Sequence, residues 1–209
     1  MPTNVYLEES VVIPLLVRMR LPRWVLLEMA SKTGGERANV AAYEPPQVAG
    51  FETWRWGTRF FREDETLRAG GWTVCEGNQV SGIRNEEVGI KLVVCSTDAR
   101  TGDPLRAPRN VTERGPASCR LIGGNLRQGK LGLVQEEPTL DLWYYCLHLS
   151  DQCISIELSR PDSELGGVIT NFSDRIIVAK PGEIPGIRRV TVAEDFAEVP
   201  KPRVSRKLT

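Results

Sequence analysis

The residues most able to do chemistry lie on a predicted β-hairpin over residues 142–158. With Asp151-Gln152 as a two-residue turn, His148 pairs with Ser155 and Cys146 with Glu157. Paired residues point to the same face of a sheet, so one face is polar and carries Tyr144, Cys146, His148, Cys153, Ser155 and Glu157. The opposite face is apolar and is predicted to be core: Trp143, Tyr145, Leu147, Leu149, Ile154, Ile156 and Leu158.

This polar face has two interpretations. Histidine is readily poised for proton transfer near neutral pH, and Cys, His and Glu side chains can bind zinc. Against this, the spacing matches no zinc motif, and the chain has no CxxC or nucleophile elbow. A helix covering the face, with a hydrogen-bonded His148, is the structural alternative. We keep Tyr144, Cys146, His148 and Glu157 as a candidate polar site, and we predict neither a metal nor a cofactor.

Arginines form a second candidate site. Arg55, Arg59 and Arg62 recur at i, i+4 and i+7 in a predicted helix, and this arginine stripe suits phosphate or carboxylate partners. Its alternative is a solvated face with Arg59–Glu63 as an i, i+4 pair. A long polar loop over residues 98–115 adds the loop arginines Arg100, Arg106, Arg109 and Arg114. These can contact phosphates, but no aromatic side chain is interleaved for base stacking.

A competing enzyme hypothesis comes from element order. A helix over 52–68 followed by three strands resembles the opening of the restriction-endonuclease-like nuclease core, over residues 52–96. The resemblance implies an acid near the second strand and Glu-x-Lys on the third, which hold Mg²⁺ and activate water. Lys91 lies on the expected strand, but Gly89 takes the Glu position. The carboxylates nearby are Glu76, Glu86 and Glu87.

The elements that must position these residues are two helices and a sheet. Helices are predicted over about 22–33, ending at Gly34-Gly35, and about 52–68, ending at Gly70-Gly71. The second packs its Trp/Phe face on the sheet. Residues 1–20 are predicted to be extended and 38–50 a loop. The predicted strands are 72–76, 79–83, 88–96, 117–122, 130–134, 142–149, 153–158, 168–170 and 175–179. Gly123-Gly124 and Gly166-Gly167 are interpreted as turn or strand-end glycines.

These elements predict an α+β fold with a mixed, mostly antiparallel sheet. Residues 1–180 are predicted to form one domain and 181–209 a proline-containing, basic-ended extended tail. The 27 basic residues equal the 27 acidic ones, so no global field draws the chain to nucleic acid or a membrane. No stretch has the apolar length of a membrane helix. Five cysteines, an odd number without CxxC, favour a reduced cytoplasmic protein.

The sequence therefore favours a non-enzymatic, cytoplasmic binding or accessory protein. It would contact nucleic acid or an acidic protein surface through the arginine stripe, the loop arginines and the basic tail. The alternative is a divergent metal-dependent nuclease that uses Glu76, Glu86, Glu87 and Lys91, and a thiol/histidine site around His148 comes third. The partner's identity and the oligomeric state are not predicted.

Overall fold

A computed structural model describes residues 3–41, 43–77, 80–128 and 140–187. The helices within these ranges are α1 (Glu9–Arg18), α2 (Arg23–Ala38), α3 (Pro46–Glu63), α4 (Glu65–Ala69) and α5 (Pro116–Gln128). The strands are β1 (Asn4–Tyr6), β2 (Thr73–Cys75), β3 (Gly82–Asn85), β4 (Ile90–Ser96), β5 (Asp141–Leu149), β6 (Cys153–Leu165) and β7 (Val168–Pro185). No helix in this described part of the chain is long and apolar enough to cross a membrane.

The strands form one mixed sheet in the order β1-β7-β6-β5-β4-β3-β2. β1 is parallel to β7 and β4 is parallel to β5, whereas all other neighbours are antiparallel. The predicted α+β class with a mostly antiparallel mixed sheet is therefore confirmed. Parallel neighbours need a long crossover connection, and the segment that joins β4 to β5 contains α5.

The predicted hairpin is present as β5 and β6 in the expected register. Cys146 opposes Glu157, and His148 opposes Ser155. Six of the predicted core residues are buried: Tyr145, Leu147, Leu149, Ile154, Ile156 and Leu158. Trp143 packs against the same core but is only partly buried. Strict alternation of apolar residues thus places the core face correctly.

Helices cover both faces of the sheet. Residues of α1, α2 and α3 form the main core with one face of the central strands, where Leu26 and Phe61 join Tyr145 and Leu147. On the other face, Ile122 of α5 joins a second core whose strand residues include Val93, Cys95, Leu142, Tyr144 and Cys146. The central strands β4 and β5 are therefore enclosed on both sides.

Helix α3 differs from its prediction in its start and in its buried face. It begins at Pro46, inside the predicted loop, because proline fits the first turn of a helix. Its buried residues are Thr53, Gly57, Thr58 and Phe61, and Phe60 packs against the main core, whereas the tryptophans are half-buried or exposed. A Cβ at Gly57 would meet Val94 Cγ1 at 3.1 Å, so glycine lets the helix approach β4 closely. Trp54 is left 38% exposed.

The ends of the two predicted helices also need correction. The predicted helix over 52–68 is interrupted at Asp64, which is extended and whose carboxylate caps α4 by accepting from the Leu67 N–H at 2.8 Å. The predicted end at Gly70 is confirmed, since Gly70 caps α4. Helix α2 continues through Gly34 to Ala38. Gly34 therefore does not end the helix; it lies so close to Ile187 and Ile154 that a larger residue would clash.

The predicted extended N-terminal segment is confirmed at β1 (Asn4–Tyr6) but is wrong for residues 9–18, which form α1. Pro14 lies inside this helix, where it removes one backbone hydrogen bond at a cost of about 3 kcal/mol. Burial of Val12, Leu16 and Met19 in the main core offsets that cost. Tertiary packing has therefore overridden the local signal of the proline.

The predicted strand over 117–122 is also wrong, because these residues belong to α5. Ala117, Leu121 and Ile122 recur at helical spacing and contact the second core. Gly123-Gly124 accordingly lies inside the helix and is not a turn. Gly166-Gly167 is the β6–β7 turn as predicted, with φ of +59° and +80°, and only glycine adopts such angles without strain.

Other predictions concern residues at the edges of the described ranges. The predicted strand over 130–134 and Asn78 of the predicted 77–78 turn lie outside the described residues, although β2 and β3 do pair as an antiparallel hairpin. The predicted strands 168–170 and 175–179 are parts of one strand, β7. β7 runs through Pro185, past the expected domain limit at 180, and the tail from 188 onward lies outside the described residues.

Candidate ligand-binding cleft

A large cleft opens where β4 and β5 end. Because the two strands are parallel, their carboxyl ends lie at the same edge of the sheet, and Thr97 and His148 emerge there side by side. The first turns of α3 form the opposite wall, and the loop over 97–115 closes the third side. The cavity has a volume of about 880 Å³, within the range of small-molecule sites.

The wall formed by α3 is aromatic. Phe51 and Trp54 line the cleft, with ring centroids 5.7 Å apart and planes tilted by 43°. They are 55% and 38% exposed. Large aromatic side chains left open in a concave surface are typical of a ligand site. The helical pattern predicted Trp54 to be core; Gly57, by drawing α3 onto β4, is the signal that could have placed Trp54 outside.

The 97–115 loop is tied back to the end of β4. Thr97 and Asn110 form an isolated antiparallel bridge, and the Val111 N–H donates to the Ser96 carbonyl at 3.0 Å. The Asp98 carboxylate accepts from the backbone N–H groups of Arg100 and Arg109. The loop is thus an ordered wall of the cleft.

A buried ion pair anchors the middle of this loop. Glu157 and Arg175 form two hydrogen bonds at 2.6 and 2.9 Å. Glu157 also accepts the Gly102 N–H at 2.8 Å, and Arg175 donates to the Asp103 carbonyl at 2.9 Å. Gly102 has φ +79°, and a Cβ there would meet the Ala179 carbonyl oxygen at 2.7 Å. The pair therefore holds the loop against β7.

The candidate polar site is divided between three environments. His148 lines the cleft, and its Nδ1 lies 3.1 Å from the Thr97 carbonyl oxygen. A carbonyl oxygen can only accept, so Nδ1 carries the hydrogen in this contact. Glu157 is committed to Arg175, whereas Tyr144 and Cys146 are buried under α5. The structure does not join His148 and Glu157 in one site.

A thiol–arginine cluster lies behind the cleft wall. Cys95 and Cys146 occupy paired positions on β4 and β5, and Arg114 Nη2 donates to Cys95 Sγ at 3.0 Å. The pKa of Cys95 is lowered to about 7, first by a hydrogen bond from Cys146 and further by the charge of Arg114, against the effect of burial. Burial raises the pKa of Tyr144, whose ring faces the Arg114 guanidinium at 5.2 Å.

Two arginines of the cleft have no carboxylate within ion-pair distance in the described part of the chain: Arg37 and Arg114. Arg37 is half-buried, and burial lowers its pKa. The negative charge of Asp151, which lies beyond ion-pair distance, acts in the opposite direction and raises the pKa. Arg114 is held by Cys95 and Tyr144. The sequence pattern placed Arg114 in the exposed loop and did not single out Arg37, whose neighbours in the fold lie far away in the sequence.

Each arginine of the stripe has its own glutamate. Arg55 pairs with Glu52 at 3.2 Å and Arg59 with Glu63 at 2.7 Å, as in the solvated-face alternative. Arg62 pairs with Glu76 at 2.9 Å and also donates to the Cys75 and Gly82 carbonyls. The stripe is thereby largely neutralised. Arg55 and Arg59 stack on the ring of Trp56, at 5.1 and 5.0 Å from its centroid.

The loop arginines do not form one common contact surface. Arg100 lies 3.6 Å from Asp98 and Arg106 lies 2.6 Å from Asp103. Arg114 turns inward to Cys95. Arg109 is exposed and its side chain has no ion pair among the described residues. Of the four loop arginines, Arg109 is therefore the one left as an exposed cation without an ion pair in the described part of the chain.

The four residues of the nuclease hypothesis lie in separate surroundings. The helix and three antiparallel strands occur in the expected order. Glu76 pairs with Arg62, Glu86 with Arg84 and Glu87 with Arg20. Lys91 lies opposite Arg84 on the neighbouring strand. In the described ranges, no group of three or more His, Cys, Asp or Glu residues is arranged to hold a metal ion.

Comparison with known proteins gives no relative from which a role could be carried over. No protein-family model matches the chain. No curated protein and no solved structure matches it either.

Proposed function

We propose that this chain is a non-enzymatic, cytoplasmic binding protein whose ligand occupies the cleft at the ends of β4 and β5. The observation that carries the proposal is the exposed pair Phe51 and Trp54 in the wall of an 880 Å³ cavity. In open α/β sheets, ligands bind outside the carboxyl ends of parallel strands. Small-molecule sites are concave and mostly apolar, with a few polar groups that orient the ligand.

Binding is favoured over catalysis by how the polar groups are engaged. His148 donates from Nδ1 to the Thr97 carbonyl, and both oxygens of Glu157 accept hydrogen bonds from Arg175. A general acid–base pair needs groups within hydrogen-bond reach of the same reacting atom. These two side chains instead position the wall of the cleft.

A cleft-filling variant tests the proposal. Gly50 lines the cleft, and a Cβ there meets nothing within 4 Å, so Gly50→Phe adds a ring without a backbone clash. Gly35 on α2 has the same open surroundings, and Gly35→Phe is the matched control. A library of small metabolites is screened by thermal shift and by tryptophan fluorescence. We expect compounds that stabilise the wild type and the Gly35→Phe variant but not the Gly50→Phe variant.

The contrary outcome is equally clear. If no compound raises the melting temperature, or if every stabilising compound acts equally on the Gly50→Phe variant, the cleft is not the ligand site. Unfolding of each variant in denaturant checks that both are folded before binding is compared.

A macromolecular partner, either nucleic acid or an acidic protein surface, is the second proposal. One observation favours it: Arg109 is exposed without an ion pair in the described chain, beside the long 3.6 Å pair of Arg100. Cations that contact phosphates release counterions, which makes affinity fall steeply with salt. The stripe could contribute only by exchanging its glutamate partners for phosphates.

Fluorescence anisotropy with labelled single- and double-stranded DNA tests this second proposal. The variants are Arg100→Gln with Arg109→Gln for the loop, and Arg55→Gln, Arg59→Gln and Arg62→Gln for the stripe. For each arginine that binds a phosphate, its replacement should reduce the slope of log affinity against log salt by about 0.9 for duplex DNA. Unchanged affinity and slope in both variants would contradict a role for these arginines.

A further inference from the structure

The charge of the cleft indicates what kind of ligand it takes. Arg37 and Arg114 line it, and neither has a carboxylate within ion-pair distance among the described residues. Burying an unpaired charge costs free energy unless a counter-charge arrives. Arg114 donates to Cys95 and its ring partner is Tyr144, both in the second core, so the charge that lacks a partner at the cleft is that of Arg37. A ligand with an anionic group would supply the counter-charge to Arg37.

Asp98, the one carboxylate that lines the cleft among the described residues, does not neutralise Arg37. Asp98 accepts from the backbone N–H groups of Arg100 and Arg109, and its ion-pair partner is Arg100. Its oxygens are therefore engaged in closing the loop. The balance of fixed charge within the cleft is left positive.

The first turn of α3 adds to this positive character. Gln47, Ala49 and Gly50 border the cleft, and no side chain caps this end of the helix. Pro46 has no N–H and the Val48 N–H donates to the Pro45 carbonyl, so the contribution here is the positive end of the helix dipole, which favours anions. This effect supplements Arg37 but would not define a site without it.

The aromatic wall sets the shape of the rest of the ligand. Phe51 and Trp54 are exposed to the cleft, and Val111, which is also in its lining, is 67% exposed. Aromatic groups pair favourably with such rings in offset-stacked or edge-to-face arrangements.

We propose that the cleft binds a small aromatic anion, with its rings against Phe51 and Trp54 and its negative charge compensated by Arg37. This inference rests on the function proposed above and deepens it. The shared chemistry has two sources, a nucleoside phosphate or an aromatic carboxylate, and both satisfy Arg37 and the rings.

A matched pair of fluorescent probes separates charge from ring stacking. 8-Anilinonaphthalene-1-sulfonate and N-phenyl-1-naphthylamine share one ring system, and only the first carries an anionic group. A charge-assisted hydrogen bond to a partly buried arginine is expected to give the sulfonate at least about tenfold tighter binding. Both probes are titrated into the folded wild type, with energy transfer from tryptophan as the signal.

Variants assign the effect to residues. Arg37→Gln should lower sulfonate affinity about tenfold and leave the neutral probe unchanged, since only charge is lost. Arg37→Lys should retain part of the wild-type affinity for the sulfonate. Trp54→Leu should weaken both probes. Arg59→Gln is the matched control, because Arg59 is paired with Glu63 outside the cleft and should leave both affinities unchanged.

The outcomes distinguish this inference from the proposed function. Equal affinities for the two probes in the wild type, with both lost in the Gly50→Phe variant, would overturn the anion assignment and leave the cleft as the ligand site. Binding of both probes that is indifferent to Gly50→Phe would overturn both. If the sulfonate is preferred, its displacement by adenosine 5′-monophosphate or by indole-3-carboxylate identifies which anion class the site accepts.

Discussion

Arg175 and Glu157 lie diagonally on adjacent strands, with Glu157 opposite Ile177 and Arg175 opposite Ser159. They form a two-point ion pair, with Nε to Oε1 at 2.9 Å and Nη2 to Oε2 at 2.6 Å. Their side chains are 2% and 0% exposed. The same two side chains hold the backbone of Gly102 and Asp103. An ion pair between β6 and β7 therefore determines the position of a loop that forms one wall of the cleft.

Removing one charge of this pair should be costly. Glu157→Gln leaves Arg175 buried without its counter-charge, and we expect a loss of about 3–5 kcal/mol in the free energy of unfolding. Denaturant unfolding measures the loss, and faster hydrogen exchange at the Gly102 amide reports the released loop. Glu63→Gln, which breaks the exposed pair with Arg59, should cost less than about 1 kcal/mol. Equal costs for the two variants would show that the buried pair is not needed.

The apolar face of the hairpin is tested by two leucines of β6. Leu158 is fully buried and Leu165 is 77% exposed. Leu158→Ala should therefore lower the free energy of unfolding by about 2–5 kcal/mol, the usual cost of a core truncation. Leu165→Ala should change it by less than about 0.5 kcal/mol. A small effect of Leu158→Ala would argue against the pairing register of β5 and β6.

The thiol cluster predicts a specific pH dependence. The pKa of Cys95 is about 7 in the folded chain, against 9.0 for an ordinary thiol. A lowered folded pKa stabilises the fold fully above pH 9, and this contribution is lost as the pH falls to about 7. The free energy of unfolding of the wild type, relative to the Cys95→Ser variant, should therefore rise between pH 7 and pH 9.

Ultraviolet absorbance of the thiolate measures the same titration directly. Cys146→Ala removes the hydrogen bond to Cys95 and should raise the pKa of Cys95, since that hydrogen bond is the largest cause of the shift. Cys153→Ala removes a thiol outside the cluster and serves as the control. A titration centred near pH 9 in the difference between the wild type and the Cys95→Ser variant would contradict the role assigned to Cys146 and Arg114.

We expect no metal-dependent cleavage of DNA or RNA by the purified chain. Each of Glu76, Glu86 and Glu87 has a different arginine partner, whereas a Mg²⁺ site needs oxygens that converge at about 2.0–2.1 Å. Supercoiled plasmid and labelled RNA, incubated with Mg²⁺ or Mn²⁺, should remain intact. Cleavage that disappears in a stable Lys91→Ala variant, but persists in Lys180→Ala, would restore the nuclease hypothesis.

Local sequence patterns were sufficient to predict the hairpin that supplies His148 and the anchor of the loop. Residues alternate with period two along β5 and β6, and this pattern specifies both the register and the buried face. The end of α4 at Gly70-Gly71 and the turn at Gly166-Gly167 were equally local, because Gly71, Gly166 and Gly167 have positive φ, which favours glycine. Residues 117–122 could not be assigned locally, because a short apolar run fits either a strand or a helix. Contact with the second core favoured the helix α5.

The position of the cleft and the arginines that serve it depend instead on long-range packing. Trp54 became part of the cleft because Gly57 lets α3 press against Val94 and turns the tryptophan outward. Arg175 is 18 residues from Glu157 in sequence, across a strand pair with several register shifts, so no local period predicts their contact. Arg37 lies on α2, and its position beside the end of β5 results from the packing of α2 against the sheet. Local periodicity specifies which face of a helix or strand is buried. The residues that pair with a charged side chain depend instead on contacts between segments distant in the sequence.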